Sequence, residues 1–91
     1  MHTFEQAMRE IRSVRMDGID WFVIHIEGGF LRCRWIWEST GGDEPRQERY
    51  LYVEATPPAG FYHASCLGGF DPEVVVRKAF DFLKQEGDKK E

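Results

Sequence analysis

The chain has 91 residues, 42% hydrophobic and 31% charged, with twelve basic against sixteen acidic side chains and two cysteines. That length builds one domain, the apolar content excludes a disordered chain, and two cysteines are too few for a disulfide scaffold. The net charge of −4 disfavours binding driven mainly by phosphate, and the longest apolar run, Trp21 to Ile24, is far short of the roughly 20 residues a membrane-spanning helix needs.

Thr3 followed by Gln6 has the form of a capping box and predicts a helix start. Phe4, Ala7, Met8, Ile11 and Val14 then recur on one helical face, Glu5, Arg9, Glu10 and Arg12 occupy the other, and Asp17-Gly18 is the expected end. From Ile19 to Glu38 the period changes to two around Gly28-Gly29, which predicts a hairpin turning on the paired glycines. That register pairs Ile26 with Leu31, Ile24 with Cys33 and Phe22 with Trp35 on an apolar face. It sets His25 beside Arg32, Val23 beside Arg34 and Trp21 beside Ile36 on the other.

Residues 39–47 concentrate Ser, Thr, Gly, Asp and Pro and read as an exposed connection. A second hairpin is expected over 48–56 and 61–67, joined by Pro57-Pro58-Ala59-Gly60. Its register pairs Ala55 with Tyr62, Val53 with Ala64 and Leu51 with Cys66 toward the core, leaving Tyr50 with Leu67, Tyr52 with Ser65 and Glu54 with His63 outside. A loop one residue longer inverts one of these strands. Asp71-Pro72-Glu73 opens a second helix with Asp as N-cap and Pro at the first position. Its stripe is Val75, Val76, Ala79, Phe80, Phe82 and Leu83, with Gly87 as the expected stop.

The order α-β-β-β-β-α predicts an α+β fold over residues 1–87, with a polar tail at 88–91: a four-stranded antiparallel sheet of two hairpins and both helices on one face. The order of the hairpins in the sheet is left open. Two helices cannot cover the second face, where the register puts Trp21, Val23, His25, Phe30, Arg32, Arg34, Ile36, Tyr50, Tyr52, Glu54, Phe61, His63 and Leu67. Aromatic and Arg side chains are those enriched in contact surfaces, so Trp21, Val23, His25, Arg32, Arg34, Ile36, Tyr50, Tyr52 and His63 form the candidate binding surface. The competing structural reading is that Arg stems lie over the rings and break the patch up.

Other chemistry finds weaker footing. His25, His63 and Glu54 make a conceivable metal or small-molecule site, but without any ligand spacing that marks one. Cys33 and Cys66 are both expected on the core face, away from the histidines, as buried free thiols with a cross-strand contact left open. None of the Gly-Gly pairs carries a phosphate-loop pattern, and no serine has a hydrolase context. Rings beside Arg suit single-stranded bases, yet Glu27, Glu38, Glu48 and Glu54 share the face. The element order resembles the double-stranded-RNA-binding architecture in topology alone, and Asp71-Pro72-Glu73-Val74 lacks the lysines with which that family holds phosphate. The N-terminus lacks the basic start and apolar middle of a secretory signal. The expectation is therefore a non-enzymatic cytoplasmic domain without a cofactor, a protein-interaction or homodimerisation module, with a nucleic-acid-binding accessory role as the alternative.

Overall fold

The computed structural model describes residues 1–15, 20–58 and 64–88. The chain runs α1 (Phe4–Ser13), β1 (Phe22–Ile26), β2 (Gly29–Ser39), β3 (Gln47–Thr56), β4 (Ser65–Gly69) and α2 (Pro72–Asp88). The strands form one antiparallel sheet in the order β1-β2-β3-β4, so each hairpin neighbours the next in a simple meander. Both helices pack on one face, around a core that includes Met8, Ile11, Ile24, Leu31, Trp35, Leu51, Val53, Val76 and Leu83.

The capping box forms as its residues predict: Gln6 N donates to Thr3 Oγ1 at 3.2 Å and Thr3 N to Gln6 Oε1 at 2.9 Å. α1 stops earlier than the Asp17-Gly18 signal, which lies outside the described residues. Val14 is already extended, at φ −76° and ψ 132°. Its end needs no glycine because the sheet supplies donors: Trp35 Nε1 donates to the Ile11 carbonyl at 3.0 Å, and an Arg49 guanidinium nitrogen to the Val14 carbonyl at 3.4 Å.

The first hairpin turns one residue earlier than the paired glycines suggest. Val23 pairs with Arg32, Ile24 with Leu31 and His25 with Phe30, so Glu27 and Gly28 are the turn and Gly29 begins β2. Gly28 takes the positive φ of 93° that the second turn position requires. Gly29 answers a different demand, since a Cβ there would lie 2.1 Å from the Thr56 carbonyl oxygen on β3. Moving a two-residue turn by one position slides the pairing by two, which preserves both faces. Phe22, Ile24, Ile26, Leu31, Cys33 and Trp35 therefore still point to the core, with Phe22 at its margin.

The second hairpin departs further. β4 covers 65–69, not 61–67, and pairs Val53 with Leu67, Glu54 with Cys66 and Tyr52 with Gly68. This odd shift inverts the strand: Leu67 packs against the core and Cys66 is exposed on the outward face, beside Tyr52 and Glu54. Phe61, Tyr62 and His63, with the pairs expected for them, lie outside the described residues.

β2 and β3 are the long strands. β1 pairs only with residues 29–33 of β2 and β4 only with 51–55 of β3, so 36–39 and 47–50 project beyond both neighbours as a two-stranded ribbon. α2 begins as read, with Glu73 N donating to Asp71 Oδ1 at 3.0 Å. It runs through Gly87 to Asp88, because Gly87 does not adopt the left-handed conformation that closes a helix.

Candidate functional site: the outward face of the sheet

Among the described residues no helix lies over the second face. The register sorts it into rows across the strands: Val23, Arg32, Glu54 and Cys66; then Arg34, Tyr52 and Gly68; then Ile36 and Tyr50, with Phe70 beyond β4; then Glu38 and Glu48. Trp21, which immediately precedes β1, lies over the second row. Its ring meets Tyr52 edge to face at 5.5 Å and carries the Arg32 guanidinium 4.3 Å and that of Arg34 5.7 Å from its centroid. Tyr50 meets the Phe70 ring edge-on at 5.2 Å and lies across Gly68, where a Cβ would fall 2.3 Å from its hydroxyl oxygen. His25 is exposed, tilted against Phe30 at 6.0 Å.

These contacts settle part of the competition between an open patch and an arginine-covered one. Trp21, Phe30, Ile36, Tyr50 and Tyr52 are all half-buried, while Val23, at 47% exposure, and Phe70, at 40%, remain open. The layer is held by contacts within the chain itself. The Tyr52 phenol is pushed up to about 12, first by its hydrogen bond with the Cys66 thiol, then by burial and the neighbouring Cys66, Glu54 and Tyr50.

The two arginines differ. Arg32 pairs with its cross-strand neighbour Glu54 at 3.4 Å. Arg34 stands opposite Tyr52 and makes no ion pair among the described residues, and its Nε is buried without a hydrogen-bond acceptor. A buried guanidinium nitrogen left without an acceptor, near the Trp21 ring, is a cost that the isolated chain carries. At the ribbon end, Glu38 stands directly opposite Glu48; Arg46 reaches Glu48 at 3.0 Å, whereas among the described residues Glu38 accepts only from the backbone of Ser39 at 3.3 Å.

The structure brings together Trp21, Val23, His25, Arg32, Arg34, Ile36, Tyr50 and Tyr52 from the sequence-based surface, whereas His63 lies outside the described residues. Leu67, expected on the outward face, leaves it, and Cys66 and Phe70 join it. The cue lay in β4 itself, because Leu67 is its only large aliphatic residue and belongs inside. Cys33 and Cys66 are free and on opposite faces, so the contact left open between them does not form. Burial, then the nearby Glu10, pushes the Cys33 thiol up to about 12. Among the described residues no group of three His, Cys, Asp or Glu is placed to hold a metal ion, and no helix is long and apolar enough to cross a membrane.

His2 also has a place. Its backbone N donates to the His25 carbonyl at 2.8 Å, covering part of the β1 edge, and its ring lies 2.5 Å from a Glu10 carboxylate oxygen. This pair ties the N-terminus to α1 and the sheet on the side away from the arginine layer. Comparison with family models, curated proteins and solved structures finds no match to this chain.

Proposed function

We propose that the protein is a non-enzymatic interaction module of the reducing cytoplasm that binds another protein through the sheet face opposite its helices. The observation that carries this reading is Arg34, a guanidinium without a carboxylate among the described residues, held near the Trp21 ring and opposite Tyr52 on a face where Val23 and Phe70 are open to contact. Preordered aromatic and Arg side chains lose little entropy on association, which is why such residues dominate binding energy at interfaces. The carboxylates of Glu38, Glu48 and Glu54 on the same face repel a nucleic-acid backbone and favour a protein surface with mixed charge.

A photo-crosslinking amino acid at Val23 tests this directly, with one at Lys78 on α2 as the control. Adducts from position 23 that vanish with Tyr52→Ser support the reading, provided that circular dichroism shows the variant folded. Adducts from Lys78 alone, or from neither position, overturn it.

A further inference from the structure

Resting on the reading of this face as a contact surface, we infer that its occupant is a second copy of the same chain, laid antiparallel across it. The two-fold axis runs along the row Ile36, Tyr50 and Phe70. The argument is one of charge and register. Along β2 the outward side chains read Arg32, Arg34, Ile36, Glu38, so the unpaired cation and the free carboxylate sit two residues to either side of Ile36. Two residues of strand span about 6.7 Å. A two-fold axis lying between the sheets and across the strands at Ile36 exchanges these positions, bringing Arg34 of each copy over Glu38 of the other. The central row then stacks on itself, with Ile36 and Tyr50 half-buried and Phe70 open in the single chain.

The charges of the isolated face are answered by the same operation. The outer end of the Arg34 guanidinium, which has no ion pair among the described residues, gains a carboxylate, and the like-charged cross-strand pair of Glu38 and Glu48 gains a cation that Arg46 supplies only to Glu48. An axis along the strands would instead set Arg34 near Arg34 and Glu38 near Glu38, so the charges select one of the two sheet-on-sheet symmetries. The matching area is modest. Only β2 and β3 extend to both sides of the axis, and two strands about 4.8 Å apart and about seven residues long give a strip of roughly 10 by 23 Å, well below the usual size for a tight dimer. The association is therefore concentration-dependent and weakened by salt.

Sedimentation velocity of the full chain from about 5 to about 500 µM at low salt tests the proposal. The mass is expected to rise from 10.7 kDa toward twice that value. Glu38→Lys and Arg34→Glu should each raise the dissociation constant at least about tenfold. An equal mixture of the two should recover a heterodimer, visible by native mass spectrometry. If Arg34→Glu does not fold, Glu38→Lys mixed with Arg34→Gln is used, and the exposed Glu38 alone decides whether charge matters. A monomer throughout, an unchanged dimer in Glu38→Lys, or no recovery in the mixture each overturns the second copy. The crosslinker at Val23, with a second at the exposed Phe70 on the axis row, separates the two levels. An adduct of twice the chain mass supports self-association; one with a different protein, from a chain that sediments as a monomer, removes the second copy and keeps the contact surface; none removes both.

Discussion

Gly29 carries a constraint that Gly41 does not. A Cβ at Gly29 would collide with the backbone of β3, whereas at Gly41, with φ of 75°, it would meet nothing within 4 Å. Gly41→Ala therefore costs only its left-handed backbone, about 1–2 kcal/mol. Gly29→Ala adds the separation of β2 from β3 and should cost about 3–5 kcal/mol, read as the shift in urea midpoint at constant slope. Equal losses would show that Gly29 is merely a turn residue. Cys33 offers a second check at this scale. Its folded-state value, about 12, stands above the ordinary 9, so the neutral thiol is the form the core accepts. The associated stability is complete below pH 9 and disappears as the pH climbs through 12, by roughly 4 kcal/mol at most. Unfolding free energies measured from pH 8 to 12 should fall more steeply for the native chain than for Cys33→Ala. Parallel slopes would mean that the thiol is hydrated.

At the scale of elements, α1 depends on its two ends in different ways. Thr3→Ala removes one half of the capping box and should cost about 1 kcal/mol. Trp35→Phe takes away the donor to the Ile11 carbonyl and leaves a smaller ring for the Arg49 guanidinium, which stacks 4.1 Å from the Trp35 ring centroid. Its cost, about 2 kcal/mol, should be larger and accompanied by lost helicity over 4–13 in NMR secondary shifts; an unchanged α1 would detach the helix from this anchor. The same elements show why some of the fold was legible. Inside and outside of β1 to β3 follow from alternation, and a two-residue turn moves registers only in steps of two, so misplacing the first turn by one position left every side chain of Phe22–Trp37 in the strands on its proper face. The segment from Pro57 to Ala64 imposes no such parity, and the odd shift there exchanged Cys66 with Leu67. Composition revealed the aromatic face; its internal pairing, with Trp21 reaching over Arg34 to Tyr52, depends on side-chain directions that no local pattern encodes.

At the scale of the whole molecule, which measures 49 × 25 × 21 Å, the stable middle and the projecting ribbon are made of the same two strands. Residues 31–33 of β2 and 51–55 of β3 have a strand on either side, and their inward side chains are fully buried. From residue 36 of β2 and 50 of β3 outward, Trp37 is 57% exposed, Glu38 faces Glu48, and among the described residues neither strand has a second neighbour. Backbone hydrogen bonds that water can reach open without unfolding the core. Amides of 36–39 and 47–50 should therefore exchange at least about tenfold faster than those of 31–33 and 51–55 when the chain is dilute. Raising the concentration should slow the ribbon and leave the middle unchanged, since a second copy laid across Ile36 covers the ribbon rather than the core. Uniform protection along both strands in dilute solution would mean that the ribbon and the middle open as one cooperative unit, and that the row through Ile36 and Tyr50 is as rigid as the strands beneath the helices.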